Sequence, residues 1–225
     1  MTRGYVICAS PRSGTNFLRE LLASTGVLGR PREYFNTAAE RLSRADYPAD
    51  PEAQLAAIPQ IGATPNGVYG LVVFPQAFEA AGATRWTERL PRLSFVYLER
   101  WDSLGQAISH VRAAQTSQWV SHQSRQGDPR YDQAAINVEL VEQVRRDARW
   151  RYYFARNGIS PLRLVYERLV EDPEAAVAAI ARLVALETVP KPDLSCVSVR
   201  IQRDALTDAW RARFIAESRD IAKLY

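Results

Sequence analysis

The chain of 225 residues carries 29 Lys and Arg against 25 Asp and Glu, a net charge of +4, and 47% of it is hydrophobic. That composition suits one soluble globular domain spanning 1–225 with a sizeable core, and its scattered cations lack the clustering a nucleic-acid partner would need. No window approaches the roughly 20 consecutive apolar residues of a membrane span, the start lacks a signal-peptide core, and two distant cysteines, Cys8 and Cys196, make no disulfide or zinc framework, so a cytoplasmic location is expected.

In chain order, GYVICAS (4–10) reads as a buried strand. Phe17, Leu18, Leu21 and Leu22 then recur at helical spacing over 14–25, with Gly26 as a stop. The Ala- and Pro-rich stretch 36–64 is expected to form small helices over the site. NGVYGLVVF (66–74) is a second strand opened by an Asn-Gly turn, and LSFVYLER (93–100) a third. Asp102 can cap a helix running to about 117. Residues 133–156 place Ile136, Leu140, Val144, Ala148, Tyr152 and Ala155 on one face of a long helix. LRLVYE (162–167) is a fourth strand, Asp172-Pro173 opens an amphipathic helix, and a last helix covers about 207–223. Continuously apolar strands alternating with helices predict an α/β fold with a mainly parallel sheet covered on both faces.

The chemistry concentrates between the first strand and the first helix, in Ser10-Pro11-Arg12-Ser13-Gly14-Thr15. Such a turn offers unpaired backbone N–H groups and the positive end of a helix dipole, which suits phosphate or sulfate. The plain structural alternative is a turn in which Ser13 or Thr15 only caps the helix. A Walker kinase loop would need a lysine here. The only lysines are Lys191 and Lys223, so that reading fails unless Arg12 substitutes, and a guanidinium fork binds differently from an ammonium.

The segment resembles the loop of the P-loop sulfotransferases, and the chain is similar to the Stf0 family of bacterial sulfotransferases. The likeness is carried by CASPRSGTNFLRELLASTGVLGRPREYF, TPNGVYG, ERWDSLGQAISHVRAAQTSQW and IQRDALTDAW, in the family's order. The resemblance implies a three-layer P-loop sulfotransferase fold and an enzyme using 3′-phosphoadenosine 5′-phosphosulfate (PAPS) as donor to a small-molecule hydroxyl acceptor. It implies no metal, no nucleic acid or membrane partner, and homodimers as seen among relatives. Residue by residue, it implies that Arg12, Ser13, Gly14, Thr15 and Asn16 hold the 5′ end of the donor, with Arg12 stabilising charge on the leaving group. Arg100 and Ser109, or else Ser103, grip its 3′-phosphate, and Tyr166 lies near the adenine. Gln202-Arg203-Asp204 would close over the 3′-phosphate end. By themselves, Arg100 reads equally as a strand-end surface residue and Tyr166 as a core aromatic.

For the proton acceptor, the resemblance points to Glu33 in GRPREYF, a carboxylate that partial burial can make basic enough for the task. Its bland alternative is a surface pair with Arg30 or Arg32. His110 is the other candidate base, and Trp119 a candidate acceptor contact. The chain departs from its relatives at Val72, where they carry a lysine, and at Glu99, where a histidine is expected, and it is shorter between about 60 and 95. These departures tell against trehalose and leave the acceptor open to another sugar or a small natural product. A catalytically silent nucleotide-binding protein and a nucleotide-dependent kinase are the competing readings.

Overall fold

The computed structural model describes residues 1–81, 86–121, 123–199 and 204–218. Its strands are β1 (Arg3–Ala9), β2 (Val68–Val73), β3 (Leu93–Glu99) and β4 (Leu162–Val165), all parallel, in the order β2-β1-β3-β4. The helices are α1 (Thr15–Ser24), α2 (Thr37–Ser43), α3 (Pro51–Ile61), α4 (Pro75–Ala81), α5 (Trp86–Arg89), α6 (Ser103–Thr116), α7 (Gln133–Arg156), α8 (Tyr166–Glu171), α9 (Pro173–Leu183) and α10 (Ala205–Glu217). The α/β architecture expected from the strand pattern is thus present. Among the described residues no helix is long and apolar enough to cross a membrane.

β1 is apolar throughout because both its faces are covered. Tyr5, Ile7 and Ala9 pack with α1 and α9 on one face, while Val6 and Cys8 pack with Tyr69, Leu71, Trp150 and Phe154 on the other. The chain leaves β1 for β2 on one side and then returns past it to β3 on the other. In an open parallel sheet this reversal opens a crevice at the carboxyl ends of the two diverging strands, here β1 and β3. The Ser10–Thr15 loop and Arg100 follow those two ends.

Three expectations need correction. The buried face of α7 carries Ile136, Glu139, Gln143, Arg146, Trp150 and Phe154, whereas Val144 and Tyr152 are 60% and 64% exposed. Hydrophobic periodicity misses this because half of the inward stripe is polar, and Gln143 in it serves the loop after β1. Residues 166–171 form α8 rather than the end of a strand. Helices α2 and α3 do form, but Leu55 and Ile58 bury against the sheet with Tyr69 and Trp86, so these helices support β2 and line neither cavity of the site.

Candidate active site

Three side chains of α7 and one of α6 hold the loop from behind. Trp150 donates its indole N–H to the Ala9 carbonyl at 3.0 Å, and Asp147 accepts from the Ser10 hydroxyl at 2.8 Å. Gln106 of α6 donates to the Pro11 carbonyl at 2.7 Å and to Gln143 at 3.2 Å. Gln143 in turn donates to Glu139 at 2.6 Å, and Glu139 accepts from Arg146 at 2.7 Å. The spacing 143, 147, 150 puts these α7 groups on one helical face. Successive loop residues are therefore each fastened to the scaffold.

Beyond Pro11 the backbone turns left-handed at Arg12 (φ 64°) and again at Gly14 (φ 93°). A positive φ at arginine is uncommon and persists only where the surroundings impose it. Alternation of left-handed and other residues makes a concave array of N–H groups suited to an anion. α1 begins at this point with Gly14 as its cap and no side-chain cap, so its first-turn donors are not covered by a capping oxygen. The Ser13 hydroxyl is buried and has no hydrogen-bond partner among the described residues.

Arg12 and Arg100 meet over this loop. Arg100 donates to the Arg12 carbonyl at 3.0 Å, lies 3.8 Å from Asp102, and stacks its guanidinium 4.8 Å from the Tyr166 ring centre. Its Nε is buried without a partner among the described residues. Tyr166 covers Gly14 so closely that a Cβ there would stand 2.3 Å from the ring. The Arg12 side chain donates to the Ser109 hydroxyl at 2.9 Å and to the Trp119 carbonyl. Burial, helped by the neighbouring Arg100 and Arg112 charges, lowers the Arg12 pKa to about 10, so it stays protonated near neutral pH.

These residues line one cleft of about 710 Å³, bounded also by Asn16, Phe17, Arg112 and the segment around Trp119. Asp102 caps α6 through the Gly105 N–H at 3.0 Å and receives Arg211 on both oxygens at 2.6 Å. Burial opposes its charge, but these donors and Arg100 outweigh burial and hold its pKa below the ordinary carboxyl value. Arg112 forks onto Asp204 at 2.7 and 2.8 Å, joining α6 to the start of α10. Among the described residues no cluster of three or more His, Cys, Asp or Glu stands where it could hold a metal.

Most of the expected donor residues thus converge: Arg12, Gly14, Thr15, Asn16, Arg100, Ser109 and Tyr166 line the cleft, with Ser13 buried in its loop. Ser109 faces Arg12 rather than Arg100. Gln202 and Arg203 lie outside the described residues, whereas Asp204 is engaged by Arg112. His110 turns Nδ1 to Glu139 at 3.1 Å and packs its ring against Trp119. Trp119 borders the cleft containing Arg12. Sequence reasoning missed Gln106 and Arg112, although their spacing from Ser109, three residues either way on α6, places all three on one face.

Glu33 is not in this cleft. It lines a second cavity of about 270 Å³ with Phe35, Asn36, Val72, Phe74, Gln76 and Ala77. The Arg32 carbonyl accepts from the Val72 N–H at 2.9 Å, which fixes Glu33 beside β2. Burial pushes the Glu33 carboxyl above its ordinary pKa, and Arg19 and an Asn36 hydrogen bond only partly offset this. Cys8 pairs with Val73, so Phe74 emerges just beside the point where β1 enters the loop. The two cavities accordingly open on either side of β1 at the same end of the sheet.

The layered arrangement is that of a sulfotransferase domain: a solved sulfotransferase domain from the curacin biosynthetic pathway superposes with a TM-score of 0.51 over 97% of this chain and 98% of that one, at 14% identity. The chain belongs to the Stf0 sulphotransferase family, whose model matches residues 4–217. It is similar to the trehalose 2-sulfotransferase of Mycobacterium tuberculosis (strain ATCC 35801 / TMC 107 / Erdman), with 29% identity over 264 aligned residues and 96% of each chain covered. The trehalose 2-sulfotransferase of Mycolicibacterium smegmatis (strain ATCC 700084 / mc(2)155) is 26% identical, with 93% of each covered.

Proposed function

We propose that this protein is a PAPS-dependent sulfotransferase that delivers a sulfuryl group to a hydroxyl of a small-molecule acceptor. The observation that carries the reading is the convergence of a left-handed loop, an uncapped helix start, the orphaned Ser13 hydroxyl and two half-buried arginines on one cleft. Such a donor set fits a dianionic phosphosulfate and a second phosphate better than a neutral ligand.

In this reading the backbone N–H groups of Ser13 to Thr15, with the Ser13 and Thr15 hydroxyls, bind the 5′ end, and Asn16 borders them. Arg100 and Ser109 serve the 3′-phosphate, and Tyr166 supplies an aromatic face for the adenine. When bound, PAPS supplies an activated sulfuryl group whose bond to the bridging oxygen breaks with its electron pair departing on the phosphate. Arg12 is the charge that steadies this developing anion, a preorganised electrostatic contribution. Glu33 receives the proton of the acceptor hydroxyl as the new oxygen–sulfur bond forms. Its raised pKa makes it a stronger base than an exposed carboxylate, and in this reading the donor's sulfuryl end reaches from the loop after β1 to the second cavity beside it, where the acceptor hydroxyl lies in line. His110 is the less suited base because it lines neither cavity.

Calorimetric titration with 3′,5′-adenosine bisphosphate, alongside ATP plus magnesium, tests the donor half. Preference for the bisphosphate, lost in Arg100→Ala, is expected. Preference for ATP removes the assignment in favour of a kinase, and binding of neither means that the loop holds no such nucleotide and removes it altogether.

A further inference from the structure

The geometry of the second cavity points to an acceptor unlike a free sugar: we propose an alcohol or phenol carried on a compact aromatic or apolar body, selected by Phe35, Val72 and Phe74. This inference rests on the sulfotransferase reading and deepens it. Four of the seven lining residues, Phe35, Val72, Phe74 and Ala77, offer only hydrocarbon. Of the three polar ones, Asn36 already uses its side-chain oxygen on the Ala39 N–H at 3.3 Å to start α2, and its side chain also bonds Glu33. Glu33 itself is assigned to the reacting hydroxyl. Gln76 is then the one polar side chain left to receive further hydroxyls.

A sugar brings hydroxyls on every side of its ring, and those buried against Phe35, Val72 and Phe74 would lose water without gaining partners. An aromatic alcohol brings one. Its ring matches the two phenylalanine faces, and its single hydroxyl meets the carboxylate. Val72 backs the cavity from the core instead of offering it surface. It is 1% exposed, belongs to the same core cluster as Leu18 and Leu21, and holds its backbone N–H on the Arg32 carbonyl, so an uncharged side chain is built into the base of the cavity.

The test incubates the full-length protein with PAPS and, separately, 2-naphthol, 4-nitrophenol, trehalose or glucose, and quantifies sulfated product by mass spectrometry. Calorimetry with 3′,5′-adenosine bisphosphate runs on the same preparation. The phenols are expected to exceed both sugars in kcat/KM by at least about tenfold, and Phe74→Ala to narrow that preference by about fivefold while leaving bisphosphate affinity unchanged. Bisphosphate binding together with faster turnover of a sugar, or with no turnover of either phenol, overturns the acceptor proposal and leaves the donor reading standing. Failure to bind the bisphosphate overturns the donor reading itself and the acceptor proposal with it.

Discussion

Replacing Gly14 by alanine attacks the loop in two separable ways. The backbone there has φ 93°, which costs an L-residue about 1–2 kcal/mol. The new Cβ would also stand 2.3 Å from Cδ2 and 2.8 Å from Cε2 of Tyr166, so the ring must move off the loop and away from the Arg100 guanidinium 4.8 Å from its centre. Overpacking of this kind costs about 1–3 kcal/mol, and loss of the cation–aromatic contact about 0.5–1 kcal/mol more. Gly14→Ala should therefore destabilise the protein by roughly 3–5 kcal/mol. In a Tyr166→Ala background only the backbone contribution, about 1–2 kcal/mol, remains. Urea unfolding of the wild type, both single variants and the double variant measures the coupling, expected at about 1.5–4 kcal/mol. An equal cost of Gly14→Ala with and without the tyrosine ring would refute the argument that Tyr166 packs onto the loop.

Glu33→Gln should abolish most turnover while sparing bisphosphate binding. Because burial raises the folded pKa of Glu33, the rate should fall on acidification through a value above that of an ordinary glutamate. For stability the sign is opposite: the folded chain holds this proton more tightly, so ionisation weakens the fold as pH rises through the unfolded pKa, and the Gln variant should melt higher at neutral pH. Arg112 hydrogen bonds hold the Asp204 carboxyl well below its ordinary pKa, so this pair stabilises the fold above the unfolded pKa and the benefit is lost as pH falls towards the folded value; Arg112→Ala should flatten that acid limb of the melting-temperature profile. Trp150→Phe removes the hydrogen bond to Ala9 and leaves space at a side chain only 1% exposed, and should cost about 2–4 kcal/mol by urea unfolding. Gln106→Leu leaves the Pro11 carbonyl without its 2.7 Å donor, should cost about 1–3 kcal/mol, and should weaken bisphosphate binding more than Trp150→Phe does.

Much of this molecule is legible in the residues themselves. The strand, loop and helix around Arg12 follow from an apolar run meeting Pro, Ser and Gly, and α7 spans 133–156 as the helical spacing of its apolar residues predicts. What could not be read is the orientation of α7, because Gln143 and Asp147 face inward towards Gln106 and Ser10, partners outside their own helix. Local pattern likewise hides α8: Tyr166 looks like one more apolar strand residue until the ring is seen packing on Gly14. The separation of Glu33 from Arg12 into two cavities is a property of strand order, since β2 and β3 flank β1 on opposite sides.

The fastening of the loop by α7 has a consequence for how the protein comes to be competent. Trp150 and Ala9 are 141 positions apart in the chain, and Ser10 and Asp147 are 137 apart. Contacts this remote carry a loop-closure cost that local contacts do not, and they need the whole stretch from β1 to α7 to exist before they can form. The loop after β1 is thus completed by residues from the second half of the sequence. A nascent chain that has emerged only through β3 has the loop's amino acids but not the groups that shape it.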